Sequence, residues 1–147
     1  MNQMVKRKLL AASLTIITFL IGFSLLLTFY DGSGYSSFFL SFFFLSLWIV
    51  PAIIIYGLPV SFLSEKLTKK SPELWRIIFA FFIHVSFGAL FIFIYGALFE
   101  NNINLFYEFN EFWEVYEGLI MPSLIGAGLF WVYDEVIRRT QSIQQTN

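Results

Sequence analysis

Two places in the chain hold side chains that could do chemistry. His84 is the only histidine and lies in RIIFAFFIHVSFGALF (76–91), an otherwise apolar run. An ionisable group buried in such a run is costly, and so it is a functional candidate by default. The second place is NLFYEFNEFWEVYEG (104–118), where Glu108, Glu111, Glu114 and Glu117 recur at every third position among aromatics that include Trp113 and Tyr116.

The imidazole could move a proton, ligate a metal or hydrogen-bond between helices. Thr15, Thr18 and Tyr56 lie at matching depth in neighbouring apolar runs, and they are the partners expected for a neutral, hydrogen-bonded His84. On a helix, glutamates that step by three rotate about 60° each time, so Glu108 and Glu117 finish on opposite sides. They cannot converge on one ion, and oxygen ligation of a hard cation needs about six donors. A relay from Glu117 to His84 is also unfavourable, because about 14 Å of depth separates them at the helix rise. The aromatic stripe of 109–116 instead suits an external amphipathic helix at headgroup depth, with its carboxylates in water. Such an acidic, aromatic face is a candidate surface for a cationic ligand or a partner protein.

No catalytic set accompanies these groups. The chain has no cysteine and one histidine, and it lacks the H-E-x-x-H and G-x-S-x-G patterns of metal and serine hydrolases. The expectation is a non-enzyme with no metal, no cofactor and no nucleic-acid partner.

The elements that must position these residues are helices in lipid. Charged residues are 13% of the 147 and hydrophobic residues 58%, against about 25% charged in a soluble domain. Crossing a bilayer takes about 20 mostly apolar residues. Residues 9–30, 38–60 and 77–99 qualify. The apolar run 119–133 covers only about 22 Å, so a fourth span must begin near residue 113, which brings Glu114 and Glu117 to the membrane boundary. The reading is a single all-α domain over 1–147, an integral membrane protein with four transmembrane helices and an external amphipathic helix before the fourth. The first apolar run is longer than a signal-peptide core and has no A-x-A site after it, so it reads as a retained anchor.

Charge orients the spans. All nine basic residues lie before span one, between spans two and three, or after span four, along with Glu65, Glu73, Asp134 and Glu135. Loops 31–37 and 100–118 carry only acids. The positive-inside rule then puts both termini and the central loop in the cytoplasm.

Small residues at four-residue spacing (Ala11/Thr15, Thr18/Gly22, Ser123/Ala127), with Gly88 and Gly96, offer close helix approach. Pro51, Pro59 and Pro122 lie within the spans, and each removes a helical hydrogen bond, which predicts kinks. WIVPAIIIYG (48–57) and LIMPSLIGAG (119–128) share their proline-to-glycine spacing, as a duplicated hairpin would.

IYGLPVSFLSEKLTKK (55–70), followed by 76–91, resembles an uncharacterised family of small four-helix membrane proteins from spore-forming Gram-positive bacteria. In these a Tyr-Gly-x-Pro-x-Ser turn closes the second helix and a His stands early in the third. The matching residues are Tyr56, Gly57, Pro59, Ser61 and His84. The resemblance covers about a third of the chain. It implies a bacterial plasma membrane and this topology, and brings no activity.

The expected function is that of a non-catalytic accessory or interaction protein, with the bilayer, a membrane-protein partner or a second copy of the chain as partners. The alternative is a small transporter or exporter of cationic compounds acting as a homo-oligomer. Such exporters use a carboxylate inside the first helix, and span one has none.

Overall fold

The computed structural model describes residues 3–31, 35–99 and 109–146, with side chains over 3–30, 37–96 and 118–141. All the described secondary structure is helical: α1 (Gln3–Asp31), α2 (Tyr35–Pro51), a π segment (Ala52–Gly57), α3 (Leu58–Thr68), α4 (Glu73–Phe99) and α5 (Phe109–Thr146). α2, the π segment and α3 follow one another without a break and form one column, so the bundle has four. Each column contains a stretch long and apolar enough to cross a membrane: Gln3–Tyr30, Ser37–Thr68, Glu73–Gly96 and Gly118–Gln141.

Burial differs from that of a water-soluble bundle, although Phe19, Leu20, Ile92 and Phe130 are buried between the helices. The fully buried side chains include Thr15, Ser24, Ser61 and Ser64, whereas Phe29 is 82% exposed and Leu40 74%. Small residues let backbones approach and large apolar ones face outward, the pattern of helices that associate in lipid by close packing. Gly88 gives the clearest case. A Cβ placed there would lie 2.8 Å from the Ala127 Cβ and 3.2 Å from the Ser123 carbonyl oxygen. The absent side chain therefore sets the α4–α5 approach, and Ser123 Oγ fastens it by donating to the Gly88 carbonyl at 2.5 Å. Gly22 is different, since an added Cβ there meets nothing within 4 Å.

Pro51 and Pro59 bracket the π segment. The Leu58 N–H donates to the Ile53 carbonyl, five residues back, so the wider turn takes up one residue between two positions that have no N–H to give. Pro59 falls in the first turn of α3. The second column also changes partner here: α2 packs on α1, whereas α3 packs mainly on α4. Pro122 lies inside α5. The two proline-to-glycine segments thus differ, one π and the other α.

Only a short turn joins α3 to α4. Ser71 N–H donates to the Thr68 carbonyl at 3.0 Å, and the Pro72 carbonyl accepts the first bond of α4 from Arg76 N–H at 2.8 Å. Glu73 in that first turn complements the helix dipole.

Ahead of the fourth span, the backbone of 109–117 runs unbroken into α5. The amphipathic helix expected before the fourth apolar run is therefore not a separate element but the first part of α5. Glu108 and the side chains of Glu111, Trp113, Glu114, Tyr116 and Glu117 lie outside the described residues.

Candidate functional site

α1, α3 and α5 converge at one end of the bundle on four charges. Lys8 Nζ lies 2.5 Å from Asp134 Oδ2 and 2.9 Å from Glu65 Oε2. Arg7 donates through Nε to Asp134 Oδ1 at 2.9 Å and through Nη2 to Glu65 Oε2. Two cations and two anions thus alternate in a closed, neutral square, and Lys8 is only 1% exposed. Buried charges demand this, because each costs several kcal/mol to take out of water unless it is paired and hydrogen-bonded.

Beside the square, Glu135 gathers three guanidinium groups. Arg76 reaches its Oε2 at 2.5 Å, Arg138 its Oε1 at 2.8 Å and Arg139 its Oε1 at 2.9 Å. Arg138 also contacts Glu73 at 3.3 Å. Together the two clusters tie the beginnings of α1 and α4 to the end of α3 and the later part of α5. The three basic segments therefore share one end of the fold.

His84 lies farther along α4, inside the bundle and 4% exposed. Its Nδ1 is 2.8 Å from the Ala80 carbonyl of its own helix. A carbonyl can only accept, so Nδ1 carries the proton and, in the neutral ring, Nε2 carries the lone pair. Nε2 has no hydrogen-bond partner among the described residues. The hydroxyls expected beside it are engaged elsewhere. Thr15 donates to the Ala11 carbonyl at 2.8 Å, Thr18 pairs with Tyr133 at 2.7 Å, and Tyr56 donates to the Phe87 carbonyl at 2.6 Å. The reason is geometric: a hydroxyl on a helix readily bonds the carbonyl four residues back, and Tyr56 is long enough to reach across to α4.

Around the imidazole is an apolar cavity of about 320 Å³, lined from every column. Phe19 and Phe23 come from α1, Trp48 from α2, Tyr56 from the π segment, Phe87 and Phe91 from α4, and Pro122 and Phe130 from α5. The Tyr56 ring packs 5.2 Å from Phe91, and the His84 ring 5.9 Å from Phe130. Ala52, Gly57 and Gly126 line it with little side chain of their own. No Asp, Glu, Lys or Arg is among the described residues of its wall. On the charged side of His84, Ala80 lines a second, small polar space with Lys8, Glu65, Asp134 and Glu135. The imidazole thus stands between an aromatic chamber and the ion clusters.

The sequence singles out His84 and Tyr56 as candidates, whereas Arg7, Lys8, Glu65, Arg76, Asp134 and Glu135 enter it only as markers of sidedness. A usable signal was present: acids stand among the bases at the ends of antiparallel helices, where they must meet. Among the described residues no group of three or more His, Asp or Glu side chains could hold a metal ion. Compared with known proteins, the chain matches no family model, no curated protein and no solved structure.

Proposed function

We propose that the chain is a non-catalytic, multi-pass protein of a bacterial plasma membrane that works by holding a lipophilic molecule inside its helix bundle. The observation that carries this reading is the aromatic cavity of about 320 Å³, a volume within the range of about 300–1,000 Å³ for small-molecule sites. It is lined by all four columns, and the ion pairs of the described residues stand together at one end of them. No nucleophile with its base is found among the described residues near it, which favours binding over conversion. The ion clusters are then the clasp that keeps the columns together at the cytoplasmic end, with both termini on that side. The acidic, aromatic segment 108–117 would face the other side, open to a partner protein or a second copy.

Native mass spectrometry of protein extracted from membranes tests this reading. Wild-type chain should carry one small-molecule adduct per copy, and Ala52→Phe, which fills the chamber, should lose it. Bare wild-type protein, or an adduct unchanged in the variant, would refute intramembrane binding.

A second reading, export of a small molecule, is favoured by the position of His84 between the chamber and the charged end. The described wall offers no carboxylate to a cation, so the cargo would be uncharged.

A further inference from the structure

Ion pairing leaves a particular set of charges over. The acids at the charged end, Glu65, Glu73, Asp134 and Glu135, are all held by Arg7, Lys8, Arg76, Arg138 and Arg139. Lys66, Lys69 and Lys70 take part in none of these pairs, and all three are exposed. They follow one another along the end of α3 and into the turn before α4. Lys69 keeps helical dihedrals, φ −53° and ψ −33°, so Lys66 and Lys69, three residues apart, stand on one side of the helix. Farther down, the exposed side of α3 is apolar: Leu63 and Leu67 face outward, whereas Val60, Ser61, Ser64 and Thr68 are buried. Lysine suits the border between the two, because its stem lies along apolar surface while its ammonium reaches a polar layer. The first turn of α4 carries the exposed Trp75, whose ring stacks on Phe79 at 5.6 Å. Indole rings gather where hydrocarbon meets headgroups.

We infer that this surface seats an anionic phospholipid, its phosphate among the ammonium groups of Lys66, Lys69 and Lys70 and its acyl chains along Leu63 and Leu67. Charge complementarity chooses the lipid. Three cations without acids of their own attract an anionic headgroup, whereas a zwitterionic one would bring a further cation against them. Lysines at this point also offset the negative end of the α3 dipole, but that role is read in stability and not in lipid choice. The inference rests on the bundle lying in a bilayer and is independent of the chamber.

The test offers the full chain, purified in detergent, an equimolar mixture of dioleoylphosphatidylglycerol and dioleoylphosphatidylcholine. Native mass spectrometry reads which lipid stays bound. Wild type should retain phosphatidylglycerol about tenfold or more over phosphatidylcholine, since each lysine near an anionic headgroup contributes about fivefold. Lys66→Gln, Lys69→Gln and Lys70→Gln together should remove the preference, and arginine at the same three positions should keep it. Lys6→Gln, which removes another exposed lysine at the start of α1, should leave it within about twofold. Equal retention of the two lipids by wild type overturns the inference, as does a preference that survives the triple glutamine variant. An equal loss in Lys6→Gln also overturns it, because the chain would then be responding to net charge and not to this surface. Displacement of the lipid by millimolar inorganic phosphate overturns the choice of a lipid in favour of a free anion. Should the triple variant not fold, the single glutamine variants, each expected to lower the preference about fivefold, decide the matter.

Discussion

Lys8 and Asp134 stand 126 residues apart in the chain and form an ion pair of 2.5 Å. Their contact joins the first helix to the last. With Arg7 and Glu65 completing the square, three columns are locked in rotation and in depth, which unspecific packing of apolar surfaces does not achieve. Burial of Lys8 and Arg7 makes the arrangement brittle, because these two cations depend on their neighbours for the charge that water no longer offers.

Loss of one partner should therefore cost more than loss of a pair. Asp134→Asn leaves Arg7 and Lys8 to share Glu65, and it should destabilise the bundle by about 3 kcal/mol. Lys8→Met added to Asp134→Asn leaves a balanced Arg7–Glu65 pair and should recover a substantial part of that loss. Unfolding by SDS titration in mixed micelles, followed by circular dichroism, measures both. Additive losses would mean that the square is not one unit.

Which of these features the sequence could disclose follows from what each depends on. Span length is a property of single segments, so four apolar runs were legible, as were the small residues Gly88, Ser123 and Ala127, though not that they meet. Lateral neighbours depend on how helices rotate against one another. Nothing local in Lys8 or Asp134 announces that pairing. The π segment was hidden for a related reason: Pro51 and Pro59 each read as a missing donor, but the wider turn between them appears only when Leu58 chooses the Ile53 carbonyl. The chamber was hidden further still, being the space left where α2 and α3 favour different partners.

At the seam between α4 and α5 a single methyl group should be felt. Gly88→Ala puts a Cβ at 2.8 Å from that of Ala127, an overlap that must be relieved by moving one helix. A cost of about 1–3 kcal/mol is expected, typical of overpacking. Ala127→Gly removes the carbon atom it meets and should suppress much of the defect, leaving only the 3.2 Å approach to the Ser123 carbonyl oxygen. Thermal unfolding in detergent of the two single variants and the double variant separates this from a general loss of helix packing.

Tyr56 fixes the π segment to α4 by one hydroxyl. Its bond to the Phe87 carbonyl is 2.6 Å, and its ring also packs on Phe91. Tyr56→Phe keeps the ring contacts and removes only the bond, so stability should fall by about 1 kcal/mol. Tyr56→Ala also removes the ring and should cost about 3 kcal/mol or more. The same unfolding assay checks both. Equal losses in the two variants would show that the ring contributes nothing beyond the hydroxyl.

The natural chain lacks cysteine, so single cysteines can report its sidedness without background. Two different claims are separated by this experiment. The ion clusters require the start of α1, the end of α3 and the start of α4 to share a compartment. Lys6→Cys and Lys69→Cys must therefore respond alike to a membrane-impermeant maleimide, whichever way the bundle is inserted. The positive-inside rule adds the direction: both should stay unlabelled in intact cells and react after permeabilisation, while Asn102→Cys should react at once. If Lys6→Cys and Lys69→Cys agreed but were labelled from outside, the bundle would stand with its orientation reversed. If they disagreed, the clasp could not form, since no charge pair of 2.5–2.9 Å reaches across a bilayer core of about 30 Å.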